Sequence, residues 1–123
     1  LYNFRSFLIS KEFREFIHEI TGIKIKPNSV DVHAMKMENT HYMLCHTDME
    51  LNRKIAFMFY FSENFEEKDG GKLILRDKNL NIVKKLTPQF NSLYVMEITS
   101  NSYHDIEEIT SKNPRITIGG WFE

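Results

Sequence analysis

The sequence predicts a mainly β domain, of the sandwich or jelly-roll type, with one α-helix near its N-terminus. Two observations favour this fold class. Many short apolar segments with strand character recur at regular spacing, and each is bounded by turn-forming residues. Helical spacing of apolar residues occurs in one early segment, and no alternation of strands and helices indicates a parallel α/β sheet.

The predicted helix covers Ser10 to Thr21. Ser10 suits its N-terminus because a serine hydroxyl can accept a hydrogen bond from a free backbone N–H, and Gly22 is typical of a helix end. Four apolar residues recur at helical spacing and predict a face directed at the core: Phe13, Phe16, Ile17 and Ile20.

The strands begin after a turn at Pro27-Asn28-Ser29. The segment from Lys54 to Ser62 is so apolar that we expect it to be buried on both faces. A polar, acidic loop from Glu63 to Gly71 follows it. In chain order the predicted strands cover residues 30–37, 41–45, 54–62, 73–76, 82–86, 93–98, 103–109 and 115–122.

The composition narrows the class of protein. The 123 residues suffice for a sizeable core, and we treat residues 1–123 as one domain. The 16 basic residues balance 17 acidic ones, which disfavours direct binding of nucleic acid. No apolar run has the length of a membrane span, so we expect no membrane partner.

The lone Cys45 cannot form an internal disulfide, which fits a reducing compartment. We therefore expect an intracellular protein, in the cytoplasm or, in a eukaryote, the nucleus. The opening Leu1 in place of Met suggests that an N-terminal piece is missing.

A candidate metal centre starts at His46 and Asp48. Alternate residues of a strand share a face, so the imidazole and the carboxylate point the same way. A second histidine would complete the two-histidine, one-carboxylate set of non-haem Fe(II) oxygenases, and His104 is the candidate. A chain of this composition holds about one such His-x-acid triplet by chance, so a surface His–Asp hydrogen bond stays open as the alternative.

Three further residues form a candidate carboxylate site. Arg115 and Thr117 share a strand face, and a guanidinium beside a hydroxyl can bind a carboxylate. Tyr60 ends the most apolar strand, and a buried phenol needs a polar partner. The alternatives are an ion-paired surface arginine and a phenol that reaches water.

These residues carry a resemblance to a known family. His46-Thr47-Asp48, Gly70-Gly71-Lys72-Leu73, His104 and Arg115 in this order resemble the 2-oxoglutarate/Fe(II)-dependent dioxygenases of the prolyl-hydroxylase type. Within them the chain is most similar to the ribosomal-protein prolyl hydroxylase branch. Other stretches that carry the similarity, which runs from Phe13 to the C-terminus, are residues 21–24, 44–48, 53–57 and 118–122.

The resemblance implies a double-stranded β-helix, a distorted jelly roll with the metal inside its open mouth. It implies His46, Asp48 and His104 as the iron ligands. The implied cofactors are Fe(II) and 2-oxoglutarate, with O₂ as cosubstrate and ascorbate as an assisting reductant. The residues implied to bind the distal carboxylate of 2-oxoglutarate are Arg115, Thr117 and Tyr60.

The implied reaction is hydroxylation of a protein side chain, with proline favoured, and release of succinate and CO₂. A small-molecule hydroxylase of the same superfamily and a non-catalytic jelly-roll binding module are the alternatives, the module being disfavoured by the intact ligand set. A basic ribosomal protein is one candidate partner because the loop acids Glu63, Glu66, Glu67 and Asp69 could attract it. A solvated hairpin loop explains these acids equally well. Met37 stands where the branch tends to have tyrosine, so we expect a different pocket contact there.

Overall fold

The computed structural model describes residues 2–50 and 52–123 of the chain. Within them the chain is mainly β, as predicted. The helices are α1 (Tyr2–Leu8) and α2 (Lys11–Thr21), with a short 3₁₀ turn at Glu67–Asp69. The strands are β1 (Val30–Met37), β2 (Met43–His46), β3 (Ile55–Tyr60), β4 (Leu73–Arg76), β5 (Ile82–Leu86), β6 (Ser92–Glu97), β7 (Tyr103–Ile106) and β8 (Arg115–Phe122).

The strands form two four-stranded sheets. One sheet has the order β1-β8-β3-β6 and the other has the order β2-β7-β4-β5, and all pairs of neighbours are antiparallel. Apart from the β4–β5 hairpin, strands that follow one another in sequence lie in different sheets, which is the arrangement of a jelly roll. We call the first the helix-side sheet and the second the opposite sheet.

The two helices cover the outer face of the helix-side sheet. Phe13 and Ile17 of α2 are buried with Leu8, and they pack with Phe57 and Phe122. Ser10 caps α2 by accepting a hydrogen bond from the Phe13 N–H at 3.1 Å, and Gly22 ends the helix in the left-handed conformation. The predicted helix is therefore confirmed.

The predicted apolar face of α2 is partly wrong. Phe16 and Ile20 are 45 % and 53 % exposed because they lie to one side of the line through Phe13 and Ile17 that meets the sheet. Helix α1 was not predicted from the sequence at all. It adds Phe4, whose ring meets the edge of Phe59 at 5.3 Å.

Four predicted strands agree with the structure residue for residue: β1, β4, β5 and β8. β7 ends three residues early because Glu107 and Ile109 donate their N–H groups to Lys72 and His41 outside the sheet, at 3.0 and 2.9 Å. The inner faces of the two sheets enclose a second core of Met37, Leu73, Ile106 and Ile109. Among the described residues, no helix is both long and apolar enough to cross a membrane.

Candidate metal centre and carboxylate site

The inner face of the opposite sheet brings two histidines and a carboxylate together. His46 on β2 lies directly across from His104 on β7, and Asp48 follows two residues after β2 ends. The His46 Nε2 atom is 3.4 Å from Asp48 Oδ1, and the His104 Nε2 atom is 3.6 Å from Asp48 Oδ2. One ligand atom from each residue lies within 4.8 Å of the others.

Backbone carbonyls fix which imidazole nitrogen faces this centre. The Nδ1 atom of His46 is 2.8 Å from the Leu44 oxygen, and that of His104 is 3.0 Å from the Ser102 oxygen. A carbonyl oxygen only accepts, so each Nδ1 must carry the proton. This leaves the Nε2 atom of each ring directed at Asp48.

This donor set fits a divalent iron. Two imidazole lone pairs and one carboxylate are the ligands of a non-haem Fe(II) site that leaves positions open. Metal–ligand bonds of about 2 Å bring such donors within about 3–4 Å of one another, close to the spacing observed here. The His46 side chain is 34 % exposed and that of His104 only 8 %, so the centre opens on the His46 side.

The helix-side sheet contains a buried cation, the Arg115 guanidinium. Arg115 at the start of β8 is fully buried, and its Nε donates to the Gly71 carbonyl at 3.1 Å. Its Nη2 donates to the Tyr60 hydroxyl at 2.9 Å and to the Met58 sulfur at 3.4 Å, and its Nη1 lies 3.8 Å from the Met37 sulfur. Burial lowers the pKa of Arg115, because the charged form is less stable away from water.

No carboxylate among residues 2–50 and 52–123 forms a salt bridge with Arg115. A buried guanidinium held by a phenol, a carbonyl and two thioethers keeps its charge uncompensated, which is costly. Such an arrangement fits an anionic ligand that pairs with the guanidinium.

Tyr60 and Thr117 flank the guanidinium. Tyr60 at the end of β3 is fully buried, and because its oxygen accepts from Arg115, its own hydroxyl hydrogen is free to donate to a ligand. Burial raises the pKa of Tyr60, so the phenol stays protonated. Thr117, 1 % exposed, lies directly across from Tyr60 and two residues from Arg115 on one face.

A cavity of about 40 Å³ adjoins the donor set. Asp48 and His104 line it from the opposite sheet, while Met58, which contacts Arg115, lines it from the helix-side sheet. The structure thus places His46 and His104 on the opposite sheet with Asp48 just beyond the end of β2, and it places Tyr60, Arg115 and Thr117 on the helix-side sheet.

Four neighbours of the site have roles that the structure makes clear. Cys45 is exposed, as expected for a residue that alternates with His46. Asp105 accepts from Arg76, and Glu107 lies 3.5 Å from Lys85, so neither orients His104. Met37, in place of the family tyrosine, contacts Arg115.

The acidic loop is less available to a partner than its sequence suggests. Asp69 is 1 % exposed and accepts from the Glu66 N–H within the loop and from the Asn113 amide between β7 and β8. Glu66 and Glu67 pair with Lys68 and Lys72 at 2.7 and 2.9 Å. Two of the four loop acids are therefore ion-paired and a third is buried, and the Gly71 carbonyl at the end of the loop accepts a hydrogen bond from Arg115.

Sequence reasoning missed two features of the site. Met58 shares a strand face with Tyr60, so strand alternation could have indicated it. Trp121 stacks on His33 with ring centroids 4.8 Å apart and lies 3.8 Å below the guanidinium carbon of Arg53. That cluster joins β1, β8 and the segment before β3, and alternation alone does not indicate it.

A family model of the 2OG-Fe(II) oxygenase superfamily matches residues 32–123, which include all six site residues. The chain belongs to this superfamily. The expectation drawn from the sequence is thus confirmed at the level of the family, with Fe(II) and 2-oxoglutarate as the cofactors that the family implies.

Curated relatives include prolyl hydroxylases. The chain is 34 % identical over 121 residues to the mouse prolyl 3-hydroxylase OGFOD1 and 29 % identical over 133 residues to the prolyl 3,4-dihydroxylase OGFOD1 of Ostreococcus tauri. These matches cover 94 % and 99 % of this chain but only 22 % and 26 % of the relatives. The chain therefore spans about a quarter of the length of these relatives.

Solved structures share the fold. A prolyl-4-hydroxylase of Pseudomonas putida superposes with a TM-score of 0.73 at 18 % identity, over 91 % of this chain and 60 % of that one. A 2OG-Fe(II) oxygenase family oxidoreductase of Burkholderia pseudomallei gives 0.78 at 12 % identity, over 99 % of this chain and 55 % of that one. At these identities the likeness shows the fold alone, and it confirms the predicted jelly roll.

Proposed function

We propose that this chain is the catalytic domain of a 2-oxoglutarate- and Fe(II)-dependent dioxygenase that hydroxylates a prolyl side chain of a protein. The observation that carries the proposal is the presence of two incomplete sites on the two sheets of one jelly roll. A set of three metal-type donors lies on one side, and on the other lies a buried guanidinium that has no carboxylate partner among the described residues. A keto acid with a second carboxylate matches both sites: its keto-acid end suits the metal centre, and its second carboxylate suits Arg115.

His46, Asp48 and His104 would hold the iron through their Nε2 and carboxylate oxygen atoms. Arg115 would bind the distal carboxylate of 2-oxoglutarate, and Tyr60 and Thr117 would donate their hydroxyl hydrogens to it. When bound, iron and 2-oxoglutarate supply the oxidation of a substrate C–H bond by O₂ with release of succinate and CO₂.

This chain's own residues orient and shield the reactants. The Nδ1–H groups of the two histidines hold the rings in place through backbone carbonyls, which fixes the direction of the Nε2 lone pairs. Leu73, Phe57 and Tyr94 line the cavity and exclude bulk water from it. Arg115 keeps the keto acid oriented with its reactive end toward the donors.

The prolyl substrate is proposed from the relatives. OGFOD1 proteins of mouse, Xenopus laevis and Ostreococcus tauri are prolyl hydroxylases by name, as is sudestada1 of Drosophila melanogaster. A ribosomal protein as the particular partner remains a prediction. The ion-paired acidic loop does not support recognition of a basic partner at that surface.

Mass spectrometry tests the proposal. The chain is incubated with Fe(II), 2-oxoglutarate and ¹⁸O₂, together with proline-containing peptides from ribosomal proteins and matched peptides in which alanine replaces the proline. We expect one ¹⁸O atom on proline that depends on 2-oxoglutarate. The Asp48→Ala variant should give none, and His18→Ala, which changes an exposed histidine on α2, should match the wild type.

Labelled oxygen on a residue other than proline would refute the prolyl assignment. Wild-type product in the Asp48→Ala variant would refute the assigned metal centre.

A further inference from the structure

The cavity beside the metal-type donors does not reach Arg115, and it is too small for the ligand that the proposed function requires. Its volume of about 40 Å³ has room for a few water molecules. A five-carbon keto dicarboxylate is several times larger. At least one lining side chain must therefore move before the carboxylate reaches the guanidinium.

Most of the lining is anchored. Phe57 belongs to the core under the helices, and Leu73 belongs to the second core. Tyr94 donates its hydroxyl to the Thr87 carbonyl at 3.0 Å, and its ring meets that of Tyr60 at 4.9 Å. Asp48 and His104 belong to the metal centre. The two adjustable side chains are Met58 and Met96, because methionine has three rotatable side-chain bonds.

Met58 alone of these two contacts Arg115. Its sulfur lies 3.4 Å from Nη2, the nitrogen that also binds Tyr60. A thioether is a weak acceptor, whereas a carboxylate forms a hydrogen bond about twice as strong with a guanidinium. A carboxylate is thus able to replace the sulfur at this nitrogen.

The surroundings of Met58 allow this movement. Its partner on β6 is Tyr94, but its partner on β8 is Gly119, which adds no side chain against it. The other thioether at the guanidinium, that of Met37, is 4 % exposed and fixed in the second core. Met58 is therefore the thioether at Arg115 that has freedom to move.

We propose that Met58 is a specificity-determining residue of the cosubstrate pocket: its thioether occupies the place of the distal carboxylate on Arg115 and moves aside when a dicarboxylate binds. This rests on the proposed function, because it assumes that 2-oxoglutarate pairs with Arg115. In this role Met58 sets which keto acids enter, since a ligand without a distal carboxylate has nothing to exchange for the sulfur.

Nuclear magnetic resonance of the chain labelled with ¹³C at the methionine methyl groups tests the movement. The chain is loaded with Zn²⁺ in place of Fe(II) so that no turnover occurs, and Met58→Leu assigns the Met58 signal. We expect that signal to shift on addition of 2-oxoglutarate. It should stay in place on addition of 2-oxobutyrate, which shares the keto-acid end but lacks the distal carboxylate.

Calorimetry on the same samples tests the selectivity. Met58→Ala enlarges the pocket beside Arg115, so its affinity for 2-oxoadipate relative to 2-oxoglutarate should rise at least tenfold over wild type. Met96→Ala is the matched control, because it removes a thioether from the same cavity without touching Arg115. The affinity of Met96→Ala for 2-oxoadipate relative to 2-oxoglutarate should stay near that of the wild type.

The outcomes separate the two proposals. Calorimetric binding of 2-oxoglutarate with an unmoved Met58 signal would overturn the role of Met58 and leave the proposed function intact. An unchanged ratio of affinities in Met58→Ala would also overturn it. Absence of any 2-oxoglutarate binding to the wild type would overturn both.

Discussion

Replacement of Arg115 by methionine separates the effect of this residue on the free energy of unfolding from its effect on the affinity for 2-oxoglutarate. The Arg115→Met variant keeps a long side chain that can pack with Met37 and Met58, but it removes the buried charge. If the guanidinium serves a ligand rather than the fold, the variant should fold with nearly the stability of the wild type and fail to bind 2-oxoglutarate.

The structure allows both magnitudes to be worked out. Removal of the charge avoids a desolvation cost of several kcal/mol. It also leaves the Gly71 carbonyl and the Tyr60 hydroxyl without their partner, at about 1–3 kcal/mol each. These terms oppose each other, so we expect the free energy of unfolding to change by less than about 2 kcal/mol. Loss of the buried charge partner of a carboxylate costs about 2–5 kcal/mol of binding, which weakens affinity by about 30-fold or more.

Thermal unfolding of the Zn²⁺-loaded chain with and without 2-oxoglutarate measures both effects. A ligand at 100 times its Kd stabilises the wild type by about 2.7 kcal/mol, which raises Tm by roughly 10 °C for a chain of this size. At that concentration Arg115→Met should show a much smaller rise, and Arg5→Met, which changes an exposed arginine on α1, should show the full one. A full rise in Arg115→Met would refute the role of the guanidinium.

Three other substitutions test separate parts of the structure. Tyr60→Phe removes one hydrogen bond to a charged ligand and should weaken 2-oxoglutarate binding by about tenfold or more in calorimetry, and unchanged affinity would exclude the phenol from the site. Ser10→Ala removes the cap of α2 and should lower the free energy of unfolding by about 1 kcal/mol in a urea titration with no loss of 2-oxoglutarate affinity; a loss of affinity would show that α2 affects the site. Gly70→Ala places a Cβ 2.1 Å from the Glu108 oxygen at a φ of +73°, whereas the Cβ of Gly22→Ala meets nothing within 4 Å. Gly70→Ala should therefore lower the free energy of unfolding by well over the ~1 kcal/mol expected for Gly22→Ala. Equal losses of stability in the two variants would contradict this packing.

The parts of the fold that local sequence patterns determine were predictable. β1 and β8 are long runs bounded by turns, and α2 has a capping serine and a terminal glycine, so propensity and tertiary structure agree there. Helix α1 lacks such signals, and its last residue Leu8 is its buried one. That short helix is stabilised by packing on the sheet, which local patterns do not report.

The candidate site was predictable only in part for the same reason. His46, Asp48, His104 and Arg115 were all candidates from residue chemistry, but Asp48 lies beyond the end of β2, where strand alternation no longer applies. The contact between Met58 and Arg115 depends on which strands become neighbours, and β3 and β8 are far apart in sequence. The ion pairs of Glu66 and Glu67 likewise depend on how the loop folds onto itself, so its charge in the sequence overstated its availability.

The most direct test of the metal centre is anaerobic calorimetric titration with Fe(II) of the wild type, His46→Ala and His18→Ala. We predict one equivalent of iron in the wild type and in His18→Ala, because His18 is exposed on α2 and remote in sequence from the donor set. His46→Ala should bind no stoichiometric iron, since a histidine and a carboxylate remain. One equivalent of iron in His46→Ala with wild-type affinity would contradict the assignment of His46, Asp48 and His104 as the iron ligands.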